Sequence, residues 1–178
     1  ESPVVTNMAA SVSADAGNVP AGSITNTGTN NTFTSTTESS LATLLSNQCP
    51  FVIKATIFEG NGKNAIRERH TFTGSVLRQL DQASALLNGI NESGQYPAIA
   101  LREALVNALE HRDYTYSGPT LINIFDSRLE IVSLGGLTDG LEINDLLNGV
   151  CQPRTPRLAE LFADLGLCEN CGTGIQRI

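Results

Sequence analysis

Three polar residues recur one helical turn apart in the stretch from Leu101 to Tyr114: Glu103, Asn107 and His111. Their i, i+4, i+8 spacing puts them on one face of a helix. A carboxylate in such a row can orient a water molecule, an amide oxygen can ligate a hard cation, and an imidazole can meet a phosphate. A solvated helix face carries the same residue types, and that plainer reading stands beside the chemical one. Asn is a poor interior helix residue because its side chain competes for backbone hydrogen bonds, which favours a functional reason for Asn107.

A second group with chemical potential is Gly172-Thr173-Gly174 ahead of Ile175, which resembles a glycine turn feeding a helix N-terminus where backbone amides cradle phosphate. The helix it should open is cut off almost at once, so the chain reads as part of a longer protein. Four cysteines are present, and Cys168-Glu-Asn-Cys171 has the spacing used by redox sites and zinc knuckles. A structural zinc needs four ligands, and the remaining ones would have to come from Cys49, Cys151, His70 or His111. Ordinary reduced thiols are the expected state.

The elements that must position these groups follow from periodicity. Leu101, Leu105, Ala108 and Leu109 form the apolar side of the helix that carries the polar row, with Pro97 near its first turn. Before it, Pro50–Glu59 and Ala65–Phe72 read as strands around the turn Gly60–Asn64, with Ile66 and Phe72 on one side. Gly74–Gly89 reads as a helix with Val76, Leu77, Leu80, Ala83 and Leu87 as its stripe and Gly89 as its stop. After it, Leu121–Phe125 and Arg128–Ser133 flank Asp126-Ser127 as a hairpin. Gly135-Gly136 permits backbone conformations closed to other residues. Leu141–Leu147 and Arg157–Leu165 read as helices, the second capped by Gly166, with Cys151–Pro156 as a loop between them.

Composition sets limits on function. The 178-residue chain has room for one domain and a tail. Residues Glu1–Ser40 contain no Lys, Arg or His and are dominated by Ser, Thr, Asn, Ala and Gly, so they read as a linker or arm. Val4-Val5 and Val12 are weak candidates for edge strands there. The composition shift near Leu41 marks the boundary of a domain over 41–178. No apolar run approaches the ~20 residues that a membrane helix needs, and the start lacks the pattern of a signal peptide. The expected location is the cytoplasm. With 11 basic against 18 acidic residues, a formal charge of −7 and no basic run, the chain is a poor non-specific binder of nucleic acid.

Several of these pieces occur in a fixed order: Arg102–Tyr114, Ile131–Leu137, Pro153–Arg157, Leu161–Leu167 and Gly172–Ile175. In that order and spacing they resemble the C-terminal domain of bacterial and archaeal proteins described as RecG-like ATP-dependent DNA helicases or as transcriptional regulators. The resemblance covers residues 41–178. It implies a divergent GHKL (Bergerat-like, histidine kinase-like) ATPase domain. The implied fold is an α/β (α+β) sandwich with a mixed, mostly antiparallel sheet and helices packed on one face.

By the same resemblance, Glu103 and Asn107 fall on the motif whose Asn ligates the Mg²⁺ bridging ATP phosphates and whose acid orients water. His111 falls on a position that approaches phosphate. Gly135 and Gly136 fall on the adenine-side glycine box, and Gly172, Thr173 and Gly174 on the second glycine box. Mg-ATP is therefore the implied ligand, and at most slow hydrolysis the implied activity, since only Arg112 and Arg154 offer themselves as arginine fingers. Helicase activity is not implied, because no G-x-x-x-x-G-K-[ST] motif occurs. One departure is marked: Ser133-Leu134-Gly135-Gly136 lacks the Asp that contacts adenine in GHKL proteins. Cys171 is a second departure, where an aromatic is common. DNA would be reached through a domain absent from this chain, and the expected role is a nucleotide-dependent regulator of that domain. The alternative is a scaffold without nucleotide that serves homodimerisation or domain spacing.

Overall fold

The computed structural model describes residues 6–7, 41–138 and 140–168. Its elements are β1 (Thr6–Asn7), α1 (Leu41–Leu45), β2 (Ile53–Phe58), β3 (Ile66–Phe72), α2 (Val76–Ile90), α3 (Ala98–Glu110), β4 (Thr120–Ile124), β5 (Leu129–Val132), α4 (Ile143–Leu147) and α5 (Pro156–Asp164). A single 3-10 turn, Asn91–Ser93, follows α2. The expected edge strands at Val4-Val5 and Val12, and the Gly172–Gly174 turn, lie outside the described residues.

The four longer strands form an open sheet in the order β5-β4-β2-β3, and β1 adds two residues beside β5. The pairs β2–β3 and β4–β5 are antiparallel, while β2–β4 and β1–β5 are parallel. Registers Ile53↔Thr120 and Ala55↔Ile122, continued by Ile122↔Ile131 and Ile124↔Leu129, line up one apolar face. All of these side chains are buried, because this is the face the helices cover. Strand β3 is an edge rich in charge (Arg67, Glu68, Arg69), which discourages pairing with another chain.

A parallel β2–β4 pair requires a crossover, and α2 and α3 supply it. The two helices pack on each other, α2 on β2 and β3, and α3 on β5. The expected stripe of α2 is buried at Val76, Leu80, Ala83 and Leu87, with Leu77 half-buried. The Ser75 hydroxyl accepts from the Arg78 amide at 3.3 Å and caps its start. Gly89 does not stop the helix, which runs on to Ile90; the left-handed residue that ends this run is Gly94, φ 69°. A second difference lies in β3, where a register shift between Ile57 and Phe58 pairs Ile66 with Phe58. The bulge breaks the alternation that would have set Ile66 beside Phe72, and Ile66 stays 41% exposed.

The last two helices differ in how they are held. In α5, Leu158, Ala159 and Phe162 are buried, the helix packs on α3, and Gly166 closes its end at φ 65°. The other, α4, has no buried residue; Ile143, Leu147 and the following Val150 are exposed. Among the described residues no helix is long and apolar enough to cross a membrane.

Candidate nucleotide site

Helix α3 is shorter than the motif it carries. It ends at Glu110, and His111 is its C-cap, with the His111 amide donating to the Asn107 carbonyl at 3.0 Å. Carbonyls of a last turn have no partner inside the helix and must find one elsewhere. Here the Ser133 hydroxyl donates to the Ala108 carbonyl at 2.5 Å and the Tyr114 hydroxyl to the Leu109 carbonyl at 2.8 Å. The run His111–Tyr114 therefore folds back under the helix it leaves.

Arg112 fills the space made by this fold-back. It is 1% exposed, its guanidinium lies 5.2 Å from the Phe51 ring centroid and 5.4 Å from that of Tyr114, and it donates to the Tyr116 and Gly118 carbonyls. Burial lowers the pKa of this guanidinium from its ordinary value. A side chain so placed holds the loop before β4 and cannot act as an arginine finger. Arg154 is also engaged: it pairs with Asp113 at 3.4 Å and donates to the Gly136 carbonyl at 2.8 Å. Burial pushes the Asp113 carboxyl up, but the Thr115 hydroxyl and amide together with Arg154 outweigh that and hold it below the usual carboxylate range.

The glycine pair sits on the same corner. Gly135 has φ 112°, and a Cβ there would stand 2.9 Å from the Asp113 Cβ, so glycine is required where the chain crosses the end of α3. The Asp113 amide donates to the Leu134 carbonyl at 2.8 Å across this contact. Gly136 has open space around it. Ser133, two residues before Gly135, has its hydroxyl turned to α3.

The polar row itself lies half-buried: Glu103 and Asn107 along α3, and His111 just past its end. His111 Nε2 is 3.7 Å from a Glu110 carboxylate oxygen and 3.8 Å from the Cys151 thiol. Glu110 is 5% exposed. Cys168 joins this neighbourhood. Burial, the Glu110 carboxylate that hydrogen-bonds it, and the nearby Glu103 push its thiol up to about 12. Burial and Glu110 also raise the Cys151 thiol. Cys49, Cys151 and Cys168 are unbridged.

Of the residues singled out in the sequence, the structure thus gathers Glu103, Asn107 and His111 on one side of α3, with Gly135 and Gly136 around the end of that helix. Cys151 reaches His111 across 40 positions of sequence, which no local spacing announces. Glu110, Asp113 and Ser133 were not singled out; their only local signal is adjacency to His111, Arg112 and Gly135. A groove of about 390 Å³ lies elsewhere, between α2 and α3, lined by Ser84, Leu87, Asn88, Ile99 and Arg102.

An open mixed sheet covered on one face by helices, with a polar row on the helix next to the sheet, defines an α+β sandwich with a candidate ligand site on α3. Comparison with known proteins places it further. Residues 118–178 match the family described as "Putative ATP-dependent DNA helicase recG C-terminal", in agreement with a divergent GHKL-like ATPase domain of RecG-like proteins. A crystal structure of the DIP2311 protein from Corynebacterium diphtheriae is similar at 33% sequence identity and a TM-score of 0.64. The likeness covers 69% of this chain and 26% of that one, so this chain spans about a quarter of that protein's length. No curated protein matches the chain.

Proposed function

We propose that this chain is a nucleotide-binding regulatory module that takes Mg-ATP on the polar side of α3 and passes the bound state to an attached DNA-binding domain. The observation that carries the reading is the half-buried pair Glu103 and Asn107, one turn apart on a helix that packs on β5, α2 and α5. Both offer hard oxygen donors of the kind Mg²⁺ prefers, so the donor set fits the ion. Asn107 would hold the cation through its amide oxygen, and Glu103 would orient a water. The bound ion would neutralise charge on the nucleotide phosphates. His111 stands at the end of the row, where a phosphate oxygen could accept from it. The family match supports an ATPase-type domain, and the exposed α4, free of the core, suits a segment that rearranges around a ligand.

Calorimetric titration of Mg-ATP into the intact protein tests this. Binding that falls at least tenfold in both Glu103→Ala and Asn107→Ala is expected. Unchanged affinity in Asn107→Ala would remove the metal role.

A second reading has its own observation. The Ser133 hydroxyl is committed to the Ala108 carbonyl at the place where adenine would be read. A domain that lost nucleotide and serves as a scaffold for dimerisation or spacing would look this way. Absence of binding at millimolar Mg-ATP, together with a dimer in sedimentation, would favour it.

A further inference from the structure

The end of α3 gathers softer ligands than Mg²⁺ uses. Glu110, His111 and Cys151 each present one ligand atom, and the three atoms lie within 4.8 Å of one another. The imidazole nitrogen is 3.7 Å from the carboxylate oxygen and 3.8 Å from the sulfur. Tetrahedral zinc, with bonds of about 2.0–2.3 Å to nitrogen, oxygen and sulfur, sets its ligands about 3.3–3.6 Å apart. The two distances from the imidazole exceed that spacing by only a few tenths of an ångström, and the carboxylate oxygen and the sulfur lie within 4.8 Å of each other.

Two features separate this group from a chance surface cluster. Glu110 is buried, so its charge sits in poor solvent and gains from a counter-ion. The ligands also come from separate parts of the chain: Glu110 and His111 close α3, and Cys151 sits in the loop between α4 and α5.

We infer that Glu110, His111 and Cys151 form a zinc-binding site, with water in the fourth position, that fastens the loop between α4 and α5 to the end of α3. Thiolate and imidazole ligands select zinc over magnesium or calcium, which take oxygen. The Cys151 thiol gives up its proton on binding, to solvent, and no electron is transferred. A metal there would tie the loop after α4 to the end of α3, alongside the Arg154–Asp113 pair, and would draw His111 towards Cys151 and away from a nucleotide. Zinc is then an antagonist of the Mg-ATP reading at His111, although the site itself does not depend on that reading.

The test uses the reduced 178-residue chain. Titration with Zn²⁺, and with Co²⁺ as a spectroscopic stand-in, should give one equivalent per chain and thiolate-to-cobalt charge-transfer absorption. Cys151→Ser should lower zinc affinity at least tenfold and abolish that absorption. Zinc should also shield the Cys151 thiol from alkylation. Cys151 is exposed, so its serine variant should keep its fold, which the circular dichroism spectrum checks. Mg-ATP titration of Cys151→Ser should match the parent in the absence of zinc, which keeps failure of this site distinct from failure of the nucleotide reading. Zinc affinity unchanged by Cys151→Ser, or cobalt bound without charge-transfer absorption, would overturn the inference.

Discussion

At the residue scale the corner around Asp113 carries a pH dependence with a definite sign. Its folded-state pKa is depressed, chiefly because Thr115 and Arg154 outweigh the effect of burial. Glu130 is depressed as well, with Arg128, Asn123 and Lys63 outweighing burial. A depressed carboxylate contributes stability that is fully present above its unfolded pKa of about 3.9–4.3 and is lost as pH falls through the lower folded value. The urea midpoint should therefore drop between about pH 5 and pH 2. Asp113→Asn should flatten part of that acid limb while lowering the midpoint at pH 7, and Glu130 should account for part of the slope that remains. An acid limb identical in Asp113→Asn and parent would show that the Arg154 pair contributes nothing.

At the scale of elements, α3 is the member on which the rest converge. It meets α2, β5 and α5, and its own last carbonyls are satisfied by Ser133 and Tyr114. The contact with α5 rests on Phe162, which is fully buried and belongs to the same core as Leu105 and Leu109. Phe162→Ala should cost about 3–5 kcal/mol, the range for a large aromatic removed from a packed core. A chemical-denaturation series checks this. A loss below about 1 kcal/mol would mean that α5 is not part of the cooperative unit. Leu147 on α4 offers the contrast: it is 56% exposed, and its alanine variant should change stability by no more than about 0.5 kcal/mol.

For the molecule as a whole, charge decides the partners it can meet unaided. A chain carrying 18 acidic and 11 basic side chains repels the DNA phosphate backbone at long range. No retention on duplex DNA at physiological salt is expected, with or without Mg-ATP. Fluorescence anisotropy with a labelled duplex measures this, and salt-sensitive binding by the 178-residue chain alone would contradict it.

Much of the architecture was legible in the residues themselves. The hairpin around Asp126-Ser127, the apolar sides of α2 and α3 and the Gly166 cap all follow from periodicity and turn chemistry, which act over a few residues. The row Glu103, Asn107, His111 was legible for the same reason, since helical spacing alone sets it. Local rules failed in two places: Gly89 is helical although it is exposed with open space around it, and the register shift between β2 and β3 takes Ile66 off its expected side. The roles within His111–Tyr114 were beyond any local rule. Only the tertiary structure buries Arg112 between Phe51 and Tyr114, turns Ser133 to α3, and brings Cys151 to Glu110 and His111. Spacing along a helix is a property of neighbouring residues and can be read from sequence, whereas burial, and contacts between distant segments, exist only once the chain has packed.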